Sequence, residues 1–179
     1  MKINEIFYSI QGEGAWTGTP MIFIRFSGCN LNCPFCDTKH KTNKTMTVAN
    51  ILAAINRYPG ERVCLTGGEP GMQVTDELIG ALHAQGRKVH IETNGSYKLP
   101  ANVDWITFSP KNDRHVLTAA DEIKVVYEGQ DVAKWLLFNA NEYYLQPCSC
   151  ENTNEVVEYV KANPQWKVSI QTQKYIEVR

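Results

Sequence analysis

Residues 21–36 read MIFIRFSGCNLNCPFC, a strand-like segment that runs directly into a cysteine-rich loop. Residues 21–27 are mostly apolar and rich in strand-forming side chains, so they predict a buried strand. The loop spaces its cysteines at positions 29, 33 and 36, as C-x3-C-x2-C. The chain has six cysteines, and three of them fall within this short loop. In a reducing compartment such clustering favours a metal site over a disulfide framework.

Downstream of the cysteine loop, apolar strand signals alternate with amphipathic helix signals. Helices are predicted at 48–58 after the capping residue Thr47, after a second cap at Thr75 with Leu78, Ile79 and Leu82 on the inner face, at 131–138 and at 154–162. Further strands are predicted at 62–66, 88–92, 104–109, 122–126, 142–146 and 166–171.

This alternation predicts an α/β fold built from right-handed βαβ units around a parallel sheet. A closed eight-fold barrel usually needs about 250 residues, and this chain has 179. The connections between the third, fourth and fifth strands also lack clear helices. We therefore expect an incomplete, splayed (β/α) barrel that occupies residues 1–179 as a single domain.

Polar and glycine-rich segments follow several of the predicted strands. After the cysteine loop come GGEP at 67–70, TNG at 93–95, SPK at 109–111 and QP at 146–147. In a parallel barrel these segments share the C-terminal edge of the strands, where active sites are built. Their recurrence there indicates an enzyme.

Composition and charge exclude several other classes of protein. The chain is 43% hydrophobic and 21% charged, which is ordinary for a globular protein with its own core. A net charge of −1 argues against broad binding to nucleic acid or to a membrane surface. No apolar run approaches the roughly 20 residues of a membrane span, and the N-terminus lacks a signal-peptide core. We expect a cytoplasmic protein.

Thiolates are soft ligands that suit both iron–sulfur clusters and zinc. A [4Fe–4S] cluster normally takes four cysteines, so a motif that supplies three leaves one iron open for chemistry. Structural zinc needs a fourth nearby ligand, for which His40 is a candidate. The pair Cys148 and Cys150 is too closely spaced for a usual zinc knuckle. From these cysteines alone, zinc and a simple electron-transfer cluster remain alternatives.

Two motifs together resemble the radical S-adenosylmethionine (SAM) superfamily: the cysteine loop, with Phe35 before its third cysteine, and GGEP at 67–70. The resemblance implies a [4Fe–4S] cluster held by Cys29, Cys33 and Cys36. It also implies that SAM binds the open iron and is cleaved by one electron to a 5′-deoxyadenosyl radical.

Over nearly its whole length the chain resembles the 7-carboxy-7-deazaguanine synthase family. The resemblance implies a lyase that converts 6-carboxy-5,6,7,8-tetrahydropterin to 7-carboxy-7-deazaguanine and ammonia, in queuosine and 7-deazapurine biosynthesis. It further implies Mg²⁺ on Thr38, a homodimer, and a reductant protein such as flavodoxin or ferredoxin. The matching stretches are SIQGEG at 9–14, FIR at 23–25, CDT at 36–38, TGGEP at 66–70, ETNG at 92–95, SPK at 109–111, DEIK at 121–124 and LQP at 145–147.

Site residues carried over from the family fall into two groups. A pterin has a planar edge of hydrogen-bond donors and acceptors and, here, one carboxylate. An amide and carboxylates can pair with the edge, and an arginine can bind the carboxylate through two hydrogen bonds. The residues expected to bind it are Ile10, Gln11, Gly12, Glu13, Arg25, Thr66, Glu92 and Arg179. The residues expected to bind SAM are Phe35, Cys36, Asp37, Gly68, Glu69, Asn94, Ser109, Pro110, Lys111 and Gln146.

Simpler interpretations exist for some of these residues. Thr38 could cap a turn, Arg25 could serve an ordinary ion pair, and residues 11–14 could form a plain turn. Asp121, Glu122 and Lys124 are structural by default, and Cys64 is expected in the core.

The chain departs from the family pattern at Gln173, where the family usually has histidine. Cys148 and Cys150 also add two thiols of unassigned role near the expected SAM pocket. The alternative function is another small radical SAM enzyme, such as an activase that makes a glycyl radical on a partner protein.

Overall fold

The computed structural model describes residues 1–38 and 43–179, and one sheet of nine strands organises them. The candidate zinc ligand His40 lies outside the described residues. The helices are α1 (Val48–Ile55), α2 (Asp76–Ala84), α3 (Thr153–Ala162) and α4 (Thr172–Tyr175). The strands are β1 (Lys2–Ile10), β2 (Pro20–Phe26), β3 (Lys44–Thr45), β4 (Arg62–Gly67), β5 (Lys88–Thr93), β6 (Trp105–Phe108), β7 (Ala119–Tyr127), β8 (Asn139–Pro147) and β9 (Lys167–Val168).

The strand order is β3-β1-β2-β4-β5-β6-β7-β8-β9. Within the described ranges β3 and β9 are not paired with each other, so the sheet stays open and the expected incomplete, splayed barrel is confirmed. Strands β2 and β4 to β9 are parallel. Strand β1 is antiparallel to both β2 and β3, so an entirely parallel sheet is wrong.

Strand β1 is not predicted by the local sequence pattern, because its residues KINEIFYSI lack a strict alternation of polar and apolar positions. Only Ile3 and Phe7 of this strand are buried. Its place is fixed by pairing with β2 along most of its length, a contact that the local pattern does not encode.

The two faces of the sheet differ in chemistry because successive side chains on a strand point to opposite sides. The outer residues of β2, β4 and β5 pack under α1 and α2. This core includes Ile24, Leu65, Ile91, Ile51, Ile55, Leu78 and Leu82. The inner face is more polar, so the barrel encloses a place for a ligand.

The predicted caps of α1 and α2 are confirmed: Thr47 Oγ1 accepts from Asn50 N at 3.2 Å and Thr75 Oγ1 from Leu78 N at 3.3 Å. The helix predicted at 131–138 is instead a short 3-10 helix, Ala133–Leu137, anchored by buried Val132 and Trp135. The last predicted strand is shorter in the structure, Lys167–Val168, and the chain reaches the cavity wall at Gln171.

Aromatic and basic side chains close the N-terminal end of the parallel strands. The Arg62 guanidinium carbon lies 3.9 Å from the Trp16 ring centroid, and Arg62 Nη1 lies 3.1 Å from His90 Nε2. The Trp16 ring meets both His90 and Trp105 edge-on. This plug makes the opposite, C-terminal end the accessible one. No helix in the described part of the chain is long and apolar enough to span a bilayer.

His90 makes stability fall in mild acid. Burial disfavours its charged form and Arg62 adds a like charge, so the pKa of His90 is lowered from 6.5 to about 4, despite an opposing effect of Asp104. The unfolded chain therefore binds this proton first, and stability is lost as pH falls from about 6.5 towards 4. Urea unfolding from pH 7 to pH 4.5 should show a loss on the order of 2–3 kcal/mol. A His90→Phe variant should lose clearly less of its free energy of unfolding between pH 7 and pH 4.5. Equal losses in the two proteins would contradict the role given to His90.

Candidate active site

A cavity of about 410 Å³ opens at the C-terminal ends of the parallel strands. Its walls come from the ends of β1 and of several parallel strands, the cysteine loop and the segment that follows β9. Small-molecule sites usually measure about 300–1,000 Å³. The cavity is therefore large enough for small ligands and lies where the sequence placed the polar loops.

Cys29, Cys33 and Cys36 all line this cavity, and within the described ranges they form no disulfide. Burial raises the pKa of the Cys29 and Cys33 thiols. Metal binding would take up their thiolate forms and release protons. The Asn94 amide donates to Asn30 Oδ1 at 3.0 Å and lies 3.9 Å from Cys29 Sγ, which steadies the loop. Across residues 1–38 and 43–179, no three Cys, His, Asp or Glu side chains group as ligands of a single metal ion.

The end of β4 packs tightly against the start of the cysteine loop. Gly68 N donates to Phe26 O at 3.0 Å, and Glu69 N donates to Gly28 O at 2.9 Å. A Cβ on Gly68 would lie 1.8 Å from the Gly28 carbonyl oxygen, so only glycine fits there. This contact fixes the cysteine loop on the barrel rim.

Replacing Gly68 with alanine should push the cysteine loop off its seat. We expect the reconstituted protein to retain less iron and to lose roughly a hundredfold in activity, the cost of a displacement of about 1 Å at a reacting centre. Iron assay and turnover measure the two effects. The matched control is Gly80→Ala, where nothing lies within 4 Å of the added Cβ. That exposed position in α2 should gain about 0.5–1 kcal/mol of stability and keep its iron. Full iron and activity in Gly68→Ala would contradict the role of this contact.

Glu69 and Pro110 do not line the cavity, unlike the other residues expected to bind SAM. Glu69 is fully buried, and its carboxylate accepts from Gly71 N, Thr93 Oγ1 and Asn94 N at 2.7–2.8 Å. Burial raises its pKa despite these bonds. Glu69 thus braces the loop after β5 from behind the cavity wall.

Lys124 on β7 lies at the centre of a buried charge cluster. Its Nζ lies 2.5 Å from Glu13 Oε2 and 3.6 Å from Glu92 Oε1, and only 5% of its side chain is exposed. Burial alone would lower the pKa of Lys124, but Glu13, Glu92 and Glu122 raise it well above its usual value. Burial would likewise raise the pKa of Glu13, but Lys124 holds it down at about 2. Glu13 and Lys124 are therefore ionised at neutral pH.

Gln11 and Thr66 complete this cluster: Gln11 Nε2 donates to Glu92 Oε1 at 3.0 Å, and Thr66 Oγ1 donates to Glu92 Oε2 at 2.9 Å. We call Gln11, Glu13, Thr66, Glu92 and Lys124 the polar cage. Its members come from three strands and the loop after β1, and all of them line the cavity. The cage offers carboxylate acceptors in a fixed arrangement.

Asp121 and Glu122 have structural roles, as the sequence predicts, but Lys124 does not. Asp121 Oδ2 accepts from Ile106 N at 2.7 Å, while Glu122 accepts from Thr107 Oγ1 at 2.7 Å and Ala15 N at 2.8 Å. Neither carboxylate lines the cavity, but Lys124 does. The signal for Lys124 was a lysine inside the apolar strand segment IKVV, which carries a burial cost without a partner.

The segment after β9 forms a wall of the cavity, and of its residues only Arg179 was predicted as a site residue. Gln171 Nε2 donates to Glu13 Oε1 at 2.9 Å and to Asp37 Oδ2 at 3.1 Å. Thr172 donates to Gly12 O through both N and Oγ1, and Gln173 Nε2 donates to Glu13 Oε1 at 3.1 Å. A Cβ on Gly12 would lie 2.8 Å from Gln173 N and 1.7 Å from the Oε1 of that flexible side chain, so both the side chain and the backbone of this segment would have to shift to admit it. We call residues 171–179 the C-terminal tail.

Every residue expected to bind the pterin lines the one cavity: Ile10, Gln11, Gly12, Glu13, Arg25, Thr66, Glu92 and Arg179. So do Phe35, Asp37, Gly68, Asn94, Ser109, Lys111 and Gln146 of the SAM set, together with Thr38 and Cys148. Lys111 Nζ donates to Ser109 Oγ at 2.8 Å and lies 5.6 Å from the Phe35 ring centroid. Cys64 is fully buried in the core as expected.

A splayed barrel with three cysteine thiols at its mouth defines the class of protein. A model of the radical SAM superfamily matches residues 23–113, so the chain is a radical SAM protein. Membership implies a [4Fe–4S] cluster and SAM. The three thiols lie beside the end of β4, where Gly68 packs tightly against the cysteine loop. They fit a [4Fe–4S] cluster and SAM, because thiolates are soft iron ligands and three of them leave one iron open.

Comparison with individual proteins narrows the class further. The 7-carboxy-7-deazaguanine synthase of Bacteroides thetaiotaomicron is 53% identical over 179 residues, covering 99% of this chain and 98% of the relative. The enzyme of that name from Caulobacter vibrioides is 37% identical over 204 residues, covering 98% and 97%. A crystal structure of QueE from Escherichia coli matches with a TM-score of 0.80 and 31% identity, over 95% and 93% of the two chains. The chain belongs to the 7-carboxy-7-deazaguanine synthase family.

Proposed function

We propose that the chain converts 6-carboxy-5,6,7,8-tetrahydropterin to 7-carboxy-7-deazaguanine and ammonia, as a carbon–nitrogen lyase of queuosine and 7-deazapurine biosynthesis. The observation that carries the proposal is the polar cage, which faces the same cavity as Cys29, Cys33 and Cys36. The names of the relatives given above support the same reaction.

The polar cage suits the donor-rich edge of a pterin. Lys124 pairs with both Glu13 and Glu92, and their carboxylate oxygens can accept hydrogen bonds from ring N–H and amino groups. The Gln11 amide both donates and accepts, which suits the mixed edge of the ring. Arg25 lies in the same cavity and can fork onto the substrate carboxylate.

SAM would lie between the cysteine loop and the ends of β4 to β8. When bound, the cluster and SAM supply a radical that takes a hydrogen atom from the substrate. Phe35 and Asp37 on the cysteine loop, with Gly68 and Asn94 opposite, would orient SAM. Ser109, Lys111 and Gln146 would complete its binding site, with the Lys111 ammonium available to a carboxylate.

We also propose that Thr38 binds Mg²⁺. Its hydroxyl lines the cavity and lies 3.5 Å from Asp37 Oδ1, which gives two adjacent oxygen groups. Mg²⁺ prefers oxygen ligands and retains several waters, so substrate and water would fill the remaining positions.

The remaining proposals concern partners and location. Cys36 is exposed, which leaves the cluster loop accessible to a reductant protein such as flavodoxin or ferredoxin. An open edge of the sheet is a candidate surface for a homodimer. We propose a cytoplasmic location, and the near-neutral charge supports a protein that binds neither nucleic acid nor a membrane surface.

The test is anaerobic reconstitution with iron, sulfide, SAM, a chemical reductant, Mg²⁺ and the carboxylated pterin, followed by mass spectrometry of the products. We expect 7-carboxy-7-deazaguanine and ammonia, with no deazaguanine when the pterin lacks its 6-carboxyl group. Formation of 5′-deoxyadenosine alone would refute the proposed substrate while leaving the class intact. Omitting Mg²⁺ from the assay tests the role proposed for the ion, and product formation should then be slower.

A further inference from the structure

Glu5 on β1 contacts two arginines that line the cavity, although it does not line the cavity itself. Its Oε1 lies 3.1 Å from Arg25 Nε, and its Oε2 pairs with the guanidinium of Arg179 in the C-terminal tail. Glu5 and Arg25 face each other in the register of β1 and β2. The sheet therefore fixes one pair, while the other joins residues 174 positions apart.

An aromatic shelf supports both arginines. The guanidinium carbons of Arg25 and Arg179 each lie 5.4 Å from the centroid of the Phe7 ring. Phe7 in turn stacks on Phe23, with centroids 5.0 Å apart and planes within 9°. A planar cation on an aromatic face and in an ion pair loses much of its freedom before any ligand arrives.

The position of Glu5 decides which edge of Arg25 is available. Its carboxylate lies beside Nε as an ion pair without a hydrogen bond to it, and within the described ranges Arg25 has no other ion pair. The edge formed by Nη1 and Nη2 therefore remains for a second carboxylate, the bidentate arrangement that arginine favours. One carboxylate between two guanidiniums leaves a net charge of +1 beside the cavity and offsets the repulsion between the arginines.

We propose that Glu5 is a positioning residue: it orients Arg25 for the carboxylate of the substrate and fastens the C-terminal tail over the same cavity through Arg179. The identity of that carboxylate rests on the proposed function. Glu5 would also couple the two events, since one side chain holds both the substrate-binding arginine and the tail.

The contrary possibility is that Glu5 only competes with the substrate for Arg25. Removing its charge would then strengthen carboxylate binding. Since Glu5 lies beside Nε and leaves the edge formed by Nη1 and Nη2 open, it does not occupy the place of the second carboxylate, and the lost orientation should dominate. The two accounts predict opposite signs, so one variant separates them.

The first experiment compares Glu5→Gln with the wild type as reconstituted holoenzyme with SAM. Binding of 6-carboxypterin and of unsubstituted pterin is measured by titration, and KM and kcat with the tetrahydropterin substrate. We expect about tenfold weaker binding and a similarly raised KM for the carboxylated ligands only, with kcat within about twofold. The control is Glu142→Gln, which removes a cross-strand partner of Lys167 away from the cavity and should change nothing. Unchanged or tighter binding of 6-carboxypterin by Glu5→Gln would overturn the proposal.

The second experiment reads the tail without any substrate. Hydrogen–deuterium exchange over residues 172–179 should be faster in Glu5→Gln than in the wild type, and Arg179→Ala should reproduce that increase without altering β1. The double variant should add nothing further. Unchanged tail exchange in both single variants would overturn the proposal. If the wild type forms no deazaguanine, the proposed function fails, and tail exchange still decides whether Glu5 holds the tail.

Discussion

Replacing Cys33 with alanine is expected to abolish product formation and retention of the iron–sulfur cluster together. Three thiolates hold three irons, so loss of one exposes a second iron and the cluster falls apart. Iron and sulfide assays of the anaerobically reconstituted protein, with product analysis, measure both effects. Activity should fall below detection while the protein stays folded, because the Cys33 side chain lies on an accessible loop.

Cys64→Ala is the matched control for this variant. Cys64 is a fully buried residue of β4 that packs among Phe7, Met21 and Phe23 and does not line the cavity. Its replacement should lower the stability slightly. The iron content should stay unchanged, and so should the colour that the iron–sulfur cluster gives to the protein. A Cys33→Ala protein with full iron and turnover, or a colourless Cys64→Ala protein, would contradict the assignment of the cluster ligands.

The second large effect is expected from Lys124→Met, which leaves the carboxylates of Glu13 and Glu92 buried without their cation. Breaking a buried pair from one side costs about 3–5 kcal/mol, so urea unfolding at pH 7 should show a loss of that size. Pterin binding should weaken as well, because the polar cage loses its centre. The control is Lys167→Met, which removes a partly exposed partner of Glu142 and should cost at most about 1 kcal/mol.

This destabilisation should depend on pH with a definite sign. In the wild type the pKa of Glu13 is lowered to about 2, below its unfolded value, so its contribution to stability is present above that value and is lost in acid. Without Lys124 the buried carboxylate would have a raised pKa instead. The penalty in Lys124→Met should therefore be larger at pH 7 than at pH 5, and a penalty that grows in acid would contradict the account.

Local patterns predicted much of the site because the chemistry sits in short motifs. The cysteine loop follows β2, GGEP follows β4, TNG follows β5 and SPK follows β6. Parallel strands bring their C-terminal ends to one edge, so the order of motifs was enough to predict that they converge. The exceptions, Glu69 and Pro110, lie in such motifs but behind the cavity wall, a distinction that depends on which way each side chain turns.

Local sequence patterns do not predict contacts between distant parts of the chain. Gln171 and Glu13 are separated by 158 positions, and neither the turn at residues 11–14 nor the tail predicts the other. Strand β1 was missed for the same reason, because its place depends on pairing with β2. The five-residue 3-10 helix at Ala133–Leu137 shows the complementary error, where core packing of Val132 and Trp135 replaced the predicted α-helix.

The sequence by itself determined the class of fold and the strand ends that carry the site, and it predicted the three cysteine ligands, because these depend on residue type, period and spacing along a few neighbouring positions. Only the tertiary structure decided that Lys124 turns inward between Glu13 and Glu92, and that the tail closes a wall of the cavity. It alone also joined Glu5 to Arg25 and Arg179. The physical reason is that a buried charge is tolerable only where folding supplies its partner, and that partner is chosen by the geometry of the sheet rather than by distance along the chain.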